Sequence, residues 1–335
     1  METKQLKIGF TCALVVVPWI GGCVARVAGP RDSALALALE GGSAKGSAPP
    51  FAANSPFNLP IPKSAILDPQ SDEMVAHLAR KKQATAALYE FAIPIWSADA
   101  NTPRFSVQCS RSPEWGPCPF AASFVPIPDG AHPHAGSDGA MVIVDQSAKK
   151  SYEFWQFRRD GDALVTSWGT IQDLSGSGWS KNGSSTASGA SRLAGVVRVH
   201  EIGLGAIAHA LVMSIDNSCA DIFRAPAVKT DGDSTRRDCT PQGARLQLDP
   251  AVDVDALPGI TAAERAVGKA LQNYGIYVID KGGAPMGISF ELAPDAESAA
   301  SVGAVYKAAG LTWDYFGMRH LPWDRLRVLR QWDGG

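Results

Sequence analysis

The sequence predicts a mainly β protein. Three observations lead to this prediction: short segments rich in β-branched and aromatic residues recur along the chain, Gly, Asp, Ser and Pro separate them, and helical periodicity is confined to a few stretches. Many strands with polar loops and little helix are typical of an antiparallel β-sandwich or jelly roll, concanavalin-like, with a few short helices. The sequence has no Gly-rich nucleotide fingerprint and no Gly-x-Ser-x-Gly elbow.

The first 23 residues are typical of a lipoprotein signal peptide. Lys4 and Lys7 give a positive start, and the apolar run over 8–20 would span only about 20 Å as a helix, too short to cross a bilayer. The run closes with Ile-Gly-Gly-Cys, which resembles the bacterial lipobox in which the cysteine, here Cys23, is lipidated. We therefore expect an extracytoplasmic protein, lipid-anchored to the cell membrane; with a plain signal peptide it would be secreted or periplasmic.

A flexible tether is predicted over 24–65, because this segment is rich in Ala, Gly, Ser and Pro and cannot bury enough surface to fold. A single β-sandwich domain is then expected over 66–335. No later stretch is long and apolar enough to span a membrane. A lipid on Cys23 would therefore hold the domain on the membrane surface rather than through it.

The predicted elements follow from the spacing of apolar residues. Helices are predicted over 71–90, 192–203 and 261–273, the last with Thr261 as its N-cap. Eight strands are predicted, at 105–109, 140–145, 152–157, 163–168, 206–214, 244–249, 274–280 and 286–291.

Four cysteines remain once Cys12 and Cys23 are set aside with the leader. An even number in an exported chain indicates disulfides, and four cysteines allow three connectivities. The local pairing is favoured because each pair closes a short loop rich in Pro, Gly or Asp; the pairs are Cys109–Cys118 and Cys219–Cys239. A zinc site is the alternative, but no Cys-x-x-Cys or matching His pair supports it.

The composition favours a glycan over nucleic acid as the partner. The net charge is −2 and no basic block is present, which argues against nucleic acid. Nine Trp with only 19% charged residues are typical of a carbohydrate-handling surface, although any single Trp is more often a core residue. We therefore expect a polysaccharide or cell-envelope glycan as the partner.

Strand alternation groups the polar candidates by face. Arg245, Gln247 and Asp249 share one face of their strand, which is either the floor of a ligand cleft or an ordinary solvated surface. His209 lies in an apolar row, either as a core histidine or as a group facing a half-buried cleft.

Two aromatic strands add further candidates. Glu153 and Trp155 share a face of one strand, and Tyr274 and Tyr277 lie on opposite faces of another. Three residues are predicted to bind substrate: Trp155, Tyr274 and Asp249.

Arginine, glutamine, histidine and tyrosine on neighbouring strands resemble the site of jelly-roll polysaccharide lyases, particularly alginate-lyase-like ones. The resemblance covers the strands from 206 to 280. It implies that Arg245 and Gln247 neutralise a uronate carboxylate. His209 or a tyrosinate would remove the adjacent proton, and Tyr277 or Tyr274 would protonate the leaving oxygen.

A hydrolase would instead need two carboxylates about 5 to 9 Å apart. The candidates are Glu153, Asp138, Glu201 and Asp249. No cofactor and no metal is expected for either reaction. Calcium is the alternative for the acidic loops at 229–235 and 248–259, but Asp is also the ordinary turn residue and neither loop matches a complete calcium motif.

Longer strings carry a second resemblance. GSDGAMVIVD, YEFWQF, RLAGVVRVHEIGLGAIAHAL and GARLQLDP resemble a family of secreted, largely uncharacterised bacterial β-sandwich proteins. This resemblance covers most of 92–330 and implies one domain there, but it implies no activity.

Two functions are predicted. The first is a surface-anchored enzyme acting on polysaccharide, a lyase or glycosidase; the alternative is a non-catalytic glycan-binding or envelope-interaction lipoprotein. Convergence of His209, Arg245 and Tyr277 in one open groove would favour the enzyme. Burial of His209, with Arg245 on a flat surface, would favour the binding protein.

Overall fold

A computed structural model describes residues 49–331, and this part of the chain is mainly β, with 29% in strands and 16% in helices. The predicted fold class is confirmed at that level. The predicted signal peptide, with Cys23, and the first part of the predicted tether lie outside the described residues.

The strands are numbered in chain order. The first nine are β1 Ala84–Ala87, β2 Ile95–Ala98, β3 Arg104–Phe105, β4 Val107–Cys109, β5 Val125–Pro126, β6 Met141–Asp145, β7 Lys150–Trp155, β8 Arg158–Asp160 and β9 Ala163–Thr166. The others are β10 Trp168–Asp173, β11 Leu211–Ile215, β12 Ser218–Phe223, β13 Thr240–Gln242, β14 Arg245–Leu248, β15 Ile276–Lys281, β16 Gly287–Ser289, β17 Phe316–Met318 and β18 Leu326–Val328. Each of the eight predicted strands overlaps an observed one.

The helices are α1 Ser71–Leu78, α2 Ser112–Trp115, α3 Val199–Leu204, α4 Ala262–Asn273 and α5 Ala304–Ala308. Short 3-10 turns lie at Ala79–Lys81, Val254–Ala256 and Trp323–Arg325.

A mixed, seven-stranded sheet lies at the centre of the fold, with the strand order β17-β1-β16-β11-β15-β14-β18. β1 is parallel to β16 and β11 is parallel to β15, whereas the other neighbours are antiparallel. The prediction of antiparallel pairing throughout is therefore wrong. Parallel neighbours require long crossover connections, and strand alternation in the sequence does not show which distant segments pair.

Helices cover one face of the seven-stranded sheet. α4 begins with a capping box, in which Thr261 Oγ1 accepts the Glu264 N–H and Glu264 Oε2 accepts the Thr261 N–H, both at 3.1 Å. Its buried side includes Val267 and Leu271, which pack in the same core cluster as Leu246 of β14. The predicted helix at this position, with its cap at Thr261, is confirmed.

The long helix predicted over 71–90 is wrong, because α1 ends at Leu78. Lys82 then takes a left-handed φ of 52°, and the chain continues as β1. The residues of β1 are Ala and Thr, yet pairing with β16 on one side and β17 on the other holds them in a strand. Tertiary pairing here overrides the helix propensity of alanine.

The other face of the seven-stranded sheet packs against a four-stranded sheet with the order β10-β7-β6-β2. Alternation along β6 divides its apolar residues between two layers. Val142 and Val144 join Ile279 of β15 in one cluster, while Met141 and Ile143 belong to a second cluster on the far side of the sheet.

Both predicted disulfides are present: Cys109–Cys118 and Cys219–Cys239. Disulfides of this kind form and persist under oxidising conditions, which indicates an extracytoplasmic environment. Between residues 49 and 331, no helix is long and apolar enough to cross a membrane.

Part of the predicted tether, the segment 49–65, is packed on the domain. Phe57 is buried and stacks on Trp179, with ring centroids 5.2 Å apart. The Phe57 carbonyl accepts the Ala210 N–H at 2.7 Å. The folded part of the chain therefore begins before residue 66, and the boundary predicted from composition is wrong because a few aromatic anchors are enough to hold a Pro- and Ser-rich segment.

Replacing Phe57 with Ala is expected to lower the free energy of unfolding by about 3–5 kcal/mol, because it leaves a cavity under the segment. Urea unfolding followed by Trp fluorescence measures this change. Phe124→Ala is the matched control, since Phe124 is 69% exposed, and its effect should stay within about 0.5 kcal/mol. Equal stability of Phe57→Ala and the unchanged protein would contradict the packing of 49–65.

Candidate functional site

The lyase-like residues His209, Arg245 and Tyr277 do not meet in one open groove. Arg245 and Tyr277 are neighbours, with the guanidinium carbon 5.2 Å from the ring centroid, and both line a cavity of about 660 Å³ beside the segment 49–65. His209 does not line that cavity. All three side chains are buried.

Both ring nitrogens of His209 contact protein groups in the interior. Its Nε2 lies 3.1 Å from Glu201 Oε1, and its Nδ1 lies 2.9 Å from the Ala210 carbonyl oxygen. Burial disfavours charge on the ring, but the hydrogen bond and negative charge of Glu201 outweigh it and raise the pKa of His209. Both ring nitrogens of His209 therefore have partners inside the protein.

Arg245 and Gln247 bind backbone carbonyls. Arg245 donates from Nε to the Tyr274 oxygen at 2.8 Å and from Nη2 to the Leu59 oxygen at 2.6 Å. Gln247 donates from Nε2 to the Gln272 oxygen at 2.7 Å. Both side chains are therefore buried and hydrogen-bonded to the backbone, with Arg245 at the edge of the cavity beside the segment 49–65.

The other polar candidates on these two predicted strands are Asp249, Tyr274 and Tyr277, and each is held or covered by the protein. Asp249 accepts the Ala251 N–H at 2.9 Å and pairs with Arg325, and these two interactions lower the pKa of Asp249. Tyr274 is half-buried at the end of α4. Burial raises the pKa of Tyr277, despite the opposing charge of Arg245, which disfavours a tyrosinate.

Glu153, a predicted catalytic residue on β7, lies in the interior of the protein. Glu153 has no exposed surface, and its carboxylate accepts hydrogen bonds from four donors. Burial raises the pKa of Glu153, although these donors act in the opposite direction. The donors are Ser191 Oγ, the Arg192 N–H at 2.7 Å, Ser151 Oγ at 3.1 Å and Ser185 Oγ at 3.2 Å. Glu153 therefore anchors the loop 184–192 to β7.

A cleft of about 740 Å³ lies between the seven-stranded sheet and the loop 184–192. Its floor is one face of the central sheet, where the side chains are small. These floor residues are Thr85, Ala87, Ser214, Gly287 and Ser289. Their strand neighbours Ala86 and Ile288 point the other way, into the helix-covered core.

Three indoles line the cleft. Trp155 stacks on Trp115 with centroids 6.0 Å apart, and Trp168 meets Trp115 edge-on at 5.7 Å. Trp155 donates its indole N–H to Asp138 Oδ1 at 3.2 Å, which fixes the ring in the wall. The cleft thus combines flat apolar surfaces with carboxylates.

Asp280, at the end of β15, is the most perturbed acid of the cleft. One of its oxygens accepts the Ala187 N–H, and the other lies 3.5 Å from Arg192 Nη2. Burial raises the pKa of Asp280 to about 7; the charges of Asp231 and Asp138 act in the same direction, and Arg192 and the Ala187 N–H oppose them. Asp280 therefore titrates near neutral pH.

A β-bulge directs Asp280 into the cleft. β15 pairs regularly with β11 up to Val278, but the next β11 residue, Ser214, pairs with Asp280, so that Ile279 is the extra residue. A bulge shifts the alternation of side chains. Simple alternation assigns Asp280 to the core-facing side together with Val278, which is why sequence reasoning missed it.

His134 is buried in the cleft wall, where its Nδ1 accepts the Gly136 N–H at 3.1 Å. Burial, together with the charge of Arg192, lowers the pKa of His134 to about 4. The ring is therefore neutral at neutral pH, with its proton on Nε2, and acts as a hydrogen-bond donor. A His-Pro-His string in a turn was its only sequence signal.

No protein-family model matches this chain, and no curated protein or solved structure is significantly similar to it. Within residues 49–331, no group of three or more His, Cys, Asp or Glu side chains is arranged to hold a metal ion. The function of the cleft is therefore inferred from its own geometry and electrostatics.

Replacing Glu153 with Gln is expected to lower the free energy of unfolding by about 1–3 kcal/mol, because the amide NH2 faces donors that the carboxylate now accepts. Urea unfolding measures the change. Glu114→Gln is the control, because the Glu114 side chain is 60% exposed, and it should change stability little. Equal effects of the two substitutions would contradict the anchoring role of Glu153.

Asp280 gives the stability of the protein a defined pH dependence. Its pKa in the folded protein, about 7, lies above the ordinary value of 3.8, so the folded state binds a proton that the unfolded chain releases. This contribution to stability is present below about pH 4 and is lost as the pH rises to about 7. In Asp280→Asn that loss should disappear from unfolding free energies measured between pH 4 and 8. Parallel curves for the variant, the exposed-site control Asp129→Asn and the unchanged protein would contradict this assignment.

Proposed function

We propose that this protein is an exported carbohydrate-active enzyme that hydrolyses a polysaccharide in the cleft between the central sheet and the loop 184–192. One observation carries the proposal: Asp280, a carboxyl that holds a proton near neutral pH, lies in the same open cleft as Asp138 and three indoles. Glycoside hydrolysis uses two carboxylates, one of which is an acid with a raised pKa. Indole rings provide the flat apolar surface on which sugar rings pack.

Asp280 is the general acid in this proposal. Its proton passes to the glycosidic oxygen as the bond from that oxygen to the anomeric carbon breaks. Water supplies the hydroxyl that adds to the anomeric carbon, and the proton released from water passes to a carboxylate. Asp138 is assigned this second role, because its hydrogen bond to Trp155 places it beside the indole surface.

The lyase reaction has weaker support. His209 is paired with Glu201, and Arg245 donates to backbone carbonyls away from the indole-lined cleft. The jelly-roll resemblance and the roles it implies for these residues stay a hypothesis. Lipid anchoring at Cys23 likewise stays a proposal, and the two disulfides support only the extracytoplasmic location.

A non-catalytic glycan-binding lipoprotein is the second candidate. The observation that favours it is the burial of His209, one of the residues expected to face a catalytic groove. In that case the indoles would bind the glycan and the raised pKa of Asp280 would serve no chemical step.

The two candidates separate in an assay with a panel of acidic and neutral polysaccharides, in which reducing ends and the absorbance of unsaturated uronates are both followed. We expect new reducing ends without unsaturated uronates. Asp280→Asn should lower kcat by about 10²-fold or more, the usual contribution of a general acid. Asp129→Asn, at an exposed position, should leave kcat unchanged.

Other outcomes have defined meanings. Unsaturated products that persist in Asp280→Asn would contradict hydrolysis and favour a lyase. Glycan binding that is lost in Trp155→Ala, with no product from any polysaccharide, would favour the binding protein.

A further inference from the structure

The cleft contains a buried arginine with unused hydrogen-bond donors. Arg192 is 8% exposed and lines the cleft. Its Nη2 donates to the Ser185 carbonyl and lies 3.5 Å from Asp280 Oδ2. Its Nε is buried, and neither Nε nor Nη1 has a hydrogen-bond partner among residues 49–331. Buried charged donors without a partner are rare and call for an explanation, such as a ligand that completes them.

A second cation lies in the same cleft. Lys229 lines it as a solvent-exposed residue, and partial burial of its side chain lowers its pKa, against the opposing charges of Asp280 and Asp231. Its ammonium forms no hydrogen bond or ion pair with any residue that the structure describes. Lys281, which also lines the cleft, differs because it pairs with Asp233.

Both cations interact electrostatically with the proposed acid. The charge of Arg192 lowers the pKa of Asp280, and the charge of Asp280 acts in turn on Lys229. An anion bound by the two cations would therefore lie next to the bond that Asp280 is proposed to protonate. The arrangement selects for a substrate with a negative group close to its scissile linkage.

We propose that Arg192 and Lys229 form a carboxylate subsite, so that the cleft takes an acidic glycan rather than a neutral one. This inference rests on the proposed function to the extent that the cleft binds glycan. The Nη1 group of the guanidinium donates to an oxygen of the carboxylate, and the ammonium adds a point charge. Binding of the carboxylate satisfies the unused Nη1 donor of Arg192.

The subsite also links substrate binding to the state of the acid. Arg192 opposes the raised pKa of Asp280 in the empty cleft. A carboxylate on Arg192 offsets that positive charge, so Asp280 holds its proton more firmly once an acidic substrate is bound. A neutral substrate leaves the effect of Arg192 unchanged.

Calorimetric titration of the full chain with paired oligosaccharides tests the subsite. One pair consists of a uronic-acid oligosaccharide and its carboxyl-reduced, neutral counterpart. A second pair consists of an oligosaccharide with N-acetylmuramic acid and the same oligosaccharide with the lactyl carboxylate amidated. We expect the acidic member of at least one pair to bind about tenfold or more tightly, and the pair that shows the preference identifies the source of the carboxylate.

Three variants test which side chains cause the preference for the acidic oligosaccharide. Lys229→Gln and Arg192→Gln should each remove most of the preference, because they weaken binding of the acidic member more than binding of the neutral member. Arg192→Lys is the second variant at that position, since the Arg192 N–H bond to Glu153 does not depend on the side chain, and it should keep part of the preference. Lys150→Gln, at an exposed lysine outside the cleft, should keep all of it.

Equal affinities for both members of each pair in the unchanged protein would overturn the subsite, as would a preference that survives Lys229→Gln and Arg192→Gln together. Failure of the proposed function is a separate result. Tight, Arg192-dependent binding of the acidic member with no cleavage of any polysaccharide would overturn the enzyme and leave the subsite standing.

Discussion

The buried carboxylate of Glu153 connects the four-stranded sheet to the loop 184–192, and the cleft depends on this connection. Leaving such a group in the interior without partners would be very costly, and the four hydrogen bonds it accepts offset that cost. Glu153 belongs to β7 of the four-stranded sheet, and three of its donors lie in the loop 184–192. In the same loop, the Ala187 N–H is donated to Asp280 of the seven-stranded sheet. One loop thus bridges the two sheets through two acidic side chains.

The electrostatics of the cleft follow from this arrangement. The bridging loop carries Arg192 to a position where its charge lowers the pKa of both His134 and Asp280. Burial acts on the two groups in opposite directions, since it disfavours the charged form of each: it lowers the pKa of the histidine and raises that of the acid. The result is a neutral histidine in the same cleft as an acid that titrates near neutrality. Groups with separated pKa values in one cleft are typical of catalytic sites.

Local sequence signals predicted the parts of the structure that local interactions determine. The capped helix α4, the strand segments and both short disulfide loops depend on residues close together in the chain. Long-range pairing decided the rest: β1 was predicted as helix because its alanines favour one, and the parallel neighbours β11 and β15 gave no local sign of their pairing. Of the predicted site residues, Trp155 lines the cleft and Glu153 anchors its loop, whereas a single extra residue at Ile279 hid the orientation of Asp280.

The position of Trp115 links the structure of the cleft to formation of a disulfide. This indole, on which Trp155 stacks, lies on α2 inside the loop that the Cys109–Cys118 disulfide closes. Before oxidation, that loop lacks its covalent closure, and the outer indole lacks the constraint that holds it against its neighbours. An exported chain meets oxidising conditions only after translocation. If the chain is exported before oxidation, the aromatic wall of the cleft is completed only after translocation.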